Sequence, residues 1–252
     1  YIRGADIKPA DVAYADALIV RTRTRCDRHL LEGSRVEFVA TATIGIDHLD
    51  TEWLDEAGIH WVNCPGCNAS SVGQYVETSL MRIGITSGAV VGIVGCGHVG
   101  KEVEIVCERL ALETVINDPY IDDPSYVSVE EVVKHSDVIT FHVPLTYKGE
   151  YPTYKMADRR FFDMLSDRER PLECIINTCR GGVIDEQALL DAMDAGIVKR
   201  AVIDTWENEP DINRRLLERA DIATPHIAGY SADGKVKADN MVIDALCSHF
   251  GL

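Results

Sequence analysis

Short runs of aliphatic and β-branched residues recur along the chain, separated by polar segments with helical spacing. In the first 70 residues the apolar runs at 17–20, 36–40 and 59–63 predict strands. A helical pattern between 48 and 57 separates the last two and stops at Gly58. This alternation predicts a parallel sheet covered by helices. Three strands make a thin domain, so further material is expected either to be missing here or to return from the C-terminus. Cys64-Pro-Gly-Cys-Asn-Ala reads as a loop, with Ser70 or Ser71 as the cap of a helix reaching about Ile83.

Beyond that helix the apolar runs fall at 90–94, 114–117, 138–141, 174–177, 201–203 and 222–223. Helical patterns fill the intervals at 99–110, 129–135, 157–165 and 186–195. Six strands joined by helical crossovers predict a doubly wound sheet of Rossmann type, whose ligands sit at the carboxyl ends of the strands. Polar residues gather at those ends: Asp118, His142, Thr178 to Arg180, Asp204 and His226. A last amphipathic helix over 236–250 is expected to cross back onto the N-terminal part. The resulting α/β organisation has a dinucleotide-binding domain at 73–229 and a smaller, flavodoxin-like α/β domain at 1–72 and 230–252.

Composition narrows the partners. Of 252 residues, 41 are Asp or Glu against 25 Lys or Arg, a formal net charge of −16. That disfavours nucleic acid and anionic membrane surfaces, and it means that an anionic ligand needs a local cluster of cations. No apolar run reaches the ~18 residues of a membrane span. Eight cysteines scattered through core-like segments predict reduced thiols and a cytoplasmic protein. The chain opens on Tyr1, so the natural N-terminus is expected upstream.

The stretch Val90-Val-Gly-Ile-Val-Gly95-Cys-Gly97-His98-Val99-Gly100 joins a strand to a helix through Gly-x-Gly-x-x-Gly. Gly95 suits the tight turn, Gly97 close approach of backbone N–H groups to a pyrophosphate, and Gly100 the packing of helix on strand. Unpaired N–H groups and the positive end of the helix dipole would hold the phosphate charge. Asp118 ends the next strand 18 residues past Gly100, near the ~20 expected of a ribose-binding carboxylate. A carboxylate there would repel a 2′-phosphate, which favours NAD over NADP.

Arg180 follows a strand, where a guanidinium fork can hold a carboxylate or take part in a surface ion pair. His226, in Thr224-Pro-His-Ile-Ala-Gly-Tyr230, is suited to proton transfer near neutral pH. Glu207 or Glu209 could bond its other nitrogen and fix the tautomer. His29, His60, His135 and His249 read as structural. Cys64-x-x-Cys67 admits a redox pair but lacks an immediately following helix, and no second pair completes a zinc site.

These motifs, in order along the chain, make it resemble the D-isomer-specific 2-hydroxyacid dehydrogenases. That family carries the Gly-x-Gly-x-x-Gly turn, an Asn-x-x-Arg-Gly segment (here Asn177 to Gly181), an Asp-x-x-x-x-Glu-Pro segment (Asp204 to Pro210) and a Pro-His-x-x-Gly segment (Pro225 to Gly229). Stretches at 41–48, 65–69, 140–145 and 226–235 narrow the likeness to a branch acting on a phosphorylated 2-hydroxy acid. The resemblance implies that Arg180 orients the substrate carboxylate, that His226 paired with Glu209 moves the hydroxyl proton, and that Thr22, Thr43 and Tyr230 line the substrate site. Thr22 stands where relatives have Ser. It further implies NAD contacts at Gly95, Gly97, His98, Val99, Gly100, Asp118, Val143, Thr178, Cys179, Arg180, Asp204 and Gly229, no metal, and a homodimer.

A substrate phosphate needs cations, for which Arg21, Arg23, Arg25 and Lys235 are candidates; the three arginines would share one face if the first strand continued through them. A solvated basic face is the alternative. Two rival functions are a sibling dehydrogenase acting on phosphoglycerate, glycerate or lactate, and an NAD(H)-sensing regulator without turnover.

Overall fold

The computed structural model describes residues 2–252, which divide into two compact units, Tyr1–Asn68 with Tyr230–Leu252, and Ala69–Gly229. The first unit holds the parallel strands β1 (Ala17–Val20), β2 (Phe38–Thr41) and β3 (His60–Val62), in that order across the sheet. Three short helices, α1 (Pro9–Val12), α2 (Arg28–Leu31) and α3 (Thr51–Glu56), accompany them. Side chains of a strand point alternately to its two faces, and β2 is buried on both. Val39 packs with Leu30, Leu31 and Leu54 on one side. Phe38 and Ala40 pack on the other with Ala238 and Val242 of the C-terminal helix.

The second unit runs through α4 (Ala69–Arg82), β4 (Val90–Val94), α5 (His98–Arg109), β5 (Glu113–Asn117), α6 (Val129–His135), β6 (Val138–Phe141), α7 (Arg159–Ser166), β7 (Cys174–Asn177), α8 (Glu186–Asp194), β8 (Ala201–Ile203), α9 (Arg214–Arg219) and β9 (Ile222–Ala223). The chain then returns to the first unit as α10 (Ala232–Phe250). All six strands are parallel, in the order β5-β4-β6-β7-β8-β9. The order reverses at β4, and such a switch point leaves a crevice at the strands' carboxyl ends. Register fixes which residues meet there. Val94 pairs with Asn117 and Phe141, Phe141 with Asn177, Asn177 with Ile203, and Ile203 with Ala223. The residues that follow, Gly95, Asp118, His142, Thr178, Asp204 and Thr224, therefore share one edge.

Four local expectations are corrected. The strand expected at 36–40 lies at Phe38–Thr41, one register position after Glu37, whose N–H donates to the Asp16 carbonyl and whose carbonyl accepts the His60 N–H. Helix α4 is already under way at Ala69, so neither Ser70 nor Ser71 precedes it as a cap. Helix α10 begins at Ala232 rather than 236, because the Ser231 hydroxyl accepts the Gly234 N–H and starts it a turn earlier. Strand β1 ends at Val20 and the chain turns through 21–25, so Arg21, Arg23 and Arg25 do not form one strand face.

Candidate active site

Strand β4 runs into a turn in which the Gly95 N–H donates to the Asn117 carbonyl at 2.8 Å and Gly95 has φ +89°. A Cβ on Gly95 would lie 2.8 Å from the His142 carbonyl, and one on Gly100 would lie 2.2 Å from the Gly95 carbonyl. Both distances are inside van der Waals contact, so the helix can approach its turn this closely only without side chains there. Gly97 differs: a Cβ there meets nothing within 4 Å. This exposed backbone opens α5, followed by exposed His98, half-buried Val99 and buried Gly100. Asp118 binds the turn from β5, its Oδ2 accepting the Cys96 N–H at 2.8 Å and its Oδ1 the Tyr120 N–H at 3.1 Å.

Behind the turn stands His142, which the pattern places at a strand end but to which no motif assigns a role. Its Nε2 hydrogen-bonds with Thr140 Oγ1 at 2.9 Å and its Nδ1 lies 3.4 Å from Thr178 Oγ1. Desolvation pushes its pKa down to about 3, so the ring is neutral at neutral pH and bonds the two hydroxyls without a charge. Val143, next along, packs its Cγ1 where a Gly95 Cβ would go. The Cys179 N–H donates to Asn177 Oδ1 at 3.1 Å, and the Asn177 amide donates to the Arg180 carbonyl at 2.9 Å, which shapes the turn presenting Arg180.

Gly181 follows Arg180 and is pressed against the Trp206 backbone: a Cβ there would lie 2.1 Å from the Trp206 carbonyl. This contact brings the turn after β7 against the loop after β8, which carries Glu209. Glu209 Oε1 accepts the Trp206 N–H at 2.8 Å, and its Oε2 lies 3.0 Å from His226 Nδ1. That bond occupies Nδ1 and leaves Nε2 for a ligand. Glu207, the other candidate partner, does not take this position; its backbone N–H anchors the loop by donating to the buried Glu186 carboxylate at 2.8 Å. Arg180, Glu209 and His226 thus line one cleft of about 370 Å³, walled by Leu145, Tyr147 and Tyr154.

Asp204 is fully buried, and the hydrogen bonds of its carboxylate go to the segment that carries the histidine. Oδ1 accepts the Thr224 hydroxyl at 2.6 Å and the Ile227 N–H at 2.8 Å, and Oδ2 accepts the Ala228 N–H at 2.9 Å. The Asp204 carbonyl takes the His226 N–H at 2.8 Å. His226 has φ +55°, a backbone conformation rare outside glycine, and this clamp holds it there. Gly229 continues the same loop.

The remaining expected site residues belong to the first unit. Thr22 is exposed in the turn after β1. Thr43 Oγ1 donates to the Gly45 carbonyl at 2.9 Å and lies 2.8 Å from Thr41 Oγ1. Tyr230 is 71% exposed. Cys64 and Cys67 are free and buried, and burial pushes the Cys64 thiol up to about 11 and the Cys67 thiol up as well, which disfavours a redox role for the pair.

The NAD-binding domain of the D-isomer specific 2-hydroxyacid dehydrogenases matches residues 68–228. The chain belongs to that family. The match spans the glycine turn, Arg180, Glu209 and His226 together, and NAD is the cofactor of this domain. Among similar proteins, erythronate-4-phosphate dehydrogenase of Bacteroides fragilis is 49% identical over 259 residues, covering 99% of this chain and 73% of that protein. The same-named protein of Escherichia coli is 40% identical, covering 99% and 68%. A solved structure of NAD+-bound 3-phosphoglycerate dehydrogenase from Entamoeba histolytica superposes with a TM-score of 0.81 at 25% identity, covering 100% of this chain and 84% of that one. For a 2-hydroxyacid dehydrogenase of this family, the geometry of the second unit is chemically coherent. A guanidinium, an imidazole and the carboxylate that fixes its tautomer share one cleft on the NAD-binding domain.

Proposed function

We propose that the protein oxidises the C2 hydroxyl of 4-phospho-D-erythronate to 2-oxo-3-hydroxy-4-phosphobutanoate, within pyridoxal 5′-phosphate biosynthesis. The observation that carries this reading is the 3.0 Å bond between His226 Nδ1 and Glu209 Oε2 in the cleft that Arg180 lines. His226 takes the hydroxyl proton on Nε2 as C2 is oxidised, and Glu209 stabilises the imidazolium that results. Arg180 donates N–H groups to the substrate carboxylate and so orients C2. Bound NAD supplies the hydride acceptor.

For the cofactor, the residues proposed are Gly95, Gly97, His98, Val99 and Gly100 at the pyrophosphate and Asp118 at the ribose. Val143, Thr178, Cys179, Arg180, Asp204 and Gly229 complete the set. The open space at Gly97 and the helix N-terminus behind it suit a phosphate group. Asp204, being fully buried, acts through the loop it clamps. Thr22, Thr43 and Tyr230 are proposed to contact substrate, with residues 1–72 and 230–252 forming the substrate domain and 73–229 the cofactor domain. The working form is proposed to be a cytoplasmic homodimer, which light scattering on the purified protein tests.

The names of the relatives at 40–49% identity support the phosphorylated four-carbon substrate over the siblings. A kinetic panel decides: reduced-cofactor formation with 4-phospho-D-erythronate, 3-phosphoglycerate, D-glycerate and D-lactate. The highest kcat/KM is expected with the first. A preference for 3-phosphoglycerate would make this a sibling enzyme, and no turnover with any acid would favour the regulator.

A further inference from the structure

One polar contact in the second unit involves a residue that no motif marks. On α4, the Tyr75 hydroxyl lies 2.6 Å from the Thr224 hydroxyl, across 149 residues of chain. Thr224 has one hydroxyl proton, and it is directed at Asp204 Oδ1, also at 2.6 Å. Its oxygen is left to accept, so Tyr75 is the donor. Desolvation pushes the Tyr75 phenol above its usual range. The nearby Asp204 charge adds to this against the opposing Thr224 bond, and the proton is present at neutral pH. The Thr224 carbonyl is bound in turn by Trp206 Nε1 at 2.9 Å. A directed chain thus runs from Tyr75 through Thr224 to Asp204, whose oxygens and carbonyl hold the Ile227, Ala228 and His226 N–H groups. Its two ends differ in support. The Tyr75 ring packs against the buried cluster of Val76, Leu80, Val103 and Val202. Two residues earlier, Gly73 lets α4 lie close on α5, where a Cβ would come within 3.2 Å of Glu102 Cβ. Thr224, by contrast, follows the short edge strand β9.

We infer that Tyr75 is a positioning residue for His226, acting through Thr224 and Asp204 to hold the imidazole where proton transfer needs it. The inference rests on the reading above that His226 moves the hydroxyl proton. Successive hydrogen bonds polarise one another, so a donor at Thr224 strengthens the bond that Thr224 gives to Asp204. With that donor gone, the Thr224 hydroxyl can rotate away, and one of the three bonds on the carboxylate weakens. The cost falls on a loop whose His226 sits at φ +55°, a conformation that persists only where its surroundings over-determine it. A small displacement of Nε2 then misaligns proton transfer, while Arg180 and the glycine turn are untouched.

The test compares Tyr75→Phe, Thr224→Val and the double variant with the wild type, using NAD and 4-phospho-D-erythronate. Tyr75→Phe keeps the ring in its packing and removes only the hydroxyl. Its kcat is expected to fall about 2- to 10-fold, the cost of one neutral hydrogen bond, with the KM for NAD unchanged. In the Thr224→Val background the same substitution is expected to cost nothing further, since the chain is already cut. Thr224→Ser keeps the hydroxyl and is expected to hold kcat near the wild-type value. Amide hydrogen exchange reads the clamp without turnover. The Ile227 and Ala228 N–H groups are expected to exchange faster in Tyr75→Phe, while those of β4 and β6 keep their protection. A wild-type kcat in Tyr75→Phe, or unchanged exchange at 227–228, overturns the inference. So does an equal loss from Tyr75→Phe with and without Thr224, or a rise in exchange spread evenly over the unit, which is a structural role alone. A wild type that does not turn over, or a His226→Ala variant that loses nothing, brings down the underlying reading instead, and the exchange measurement still judges the clamp.

Discussion

The imidazole of His226 and the carboxylate of Glu209 stand 3.0 Å apart through Nδ1 and Oε2, although 17 residues separate them in the chain. Neither position is supplied by a helix or strand. Each sits on a loop after a strand, and the two loops are held together by Asp204 and by the Trp206 backbone. His226→Ala is expected to lower kcat by ~10²–10⁴, the range for loss of a general acid or base, while the dissociation constant for NAD stays within experimental error. Glu209→Gln retains a hydrogen-bond acceptor but loses the charge, and is expected to cost ~10–100-fold in kcat. Steady-state kinetics paired with cofactor titration check both; unchanged turnover in His226→Ala would mean that another group moves the proton.

Gly97 and Gly100 lie three residues apart and should respond oppositely to alanine. At Gly100 the new Cβ would stand 2.2 Å from the Gly95 carbonyl, so the helix must shift and stability falls by ~1–3 kcal/mol, as for overpacking. At Gly97 nothing in the protein lies within 4 Å, so the melting temperature is expected to hold. NAD affinity falls there nonetheless, because the methyl occupies the approach of the pyrophosphate. Thermal melting and cofactor titration on the two variants separate the effects.

Asp204→Asn replaces a pure acceptor with a group that is half donor. The three donors on its oxygens, Thr224 Oγ1, Ile227 N–H and Ala228 N–H, cannot all be satisfied by an amide. A loss of ~1–3 kcal/mol is expected from the unpaired buried group. The clamp also sets the strained backbone of His226, so kcat should fall more than KM rises. Denaturant unfolding and initial-rate kinetics on the same preparation test the pairing of the two effects.

His142 gives a pH dependence with a definite sign. Its ordinary value of 6.5 is pushed down to about 3 in the folded protein by desolvation. Between those values the unfolded chain binds a proton that the native chain does not, so stability is full above about 6.5 and is lost as pH falls toward 3. Melting temperature is expected to decline on acidification through that window. His142→Gln should show a shallower decline, and equal slopes in wild type and variant would exclude this residue as a source.

The cysteines should be quiet in the native state. Burial pushes Cys26 and Cys107 up to about 12 and Cys64 up to about 11, and a thiol at such values holds little thiolate at neutral pH. Labelling with a thiol reagent is expected to be slow in the folded protein, with half-buried Cys247 reacting first. Rapid labelling is expected only after unfolding. Mild oxidation should not join Cys64 to Cys67, which mass analysis of the oxidised protein checks.

The strands and most helices of both units are legible in the amino-acid pattern, because buried parallel strands are continuous apolar runs and their crossover helices keep a steady period. It also marked Gly95, Gly97, Gly100, Arg180, Glu209 and His226, since turns, forks and proton carriers need particular residue types. The ends of elements were less legible. Ser231 starts α10 early, and the chain turns at Arg21 instead of extending β1, because caps and turns depend on a few local bonds that periodicity does not register.

Which residues meet was decided by tertiary structure. Glu207 and Glu209 are the same residue type two positions apart, and only the folded loop, with the Glu209 carboxylate held by the Trp206 N–H, assigns the histidine its partner. Asp204 clamps the loop that carries His226 because its strand end faces the returning loop after β9, a contact that the motif does not show. Arg21 and Asp239 are 218 residues apart and pair only because α10 folds back over β2. Chemistry of this kind follows from distances between remote side chains, and a linear pattern carries no distances.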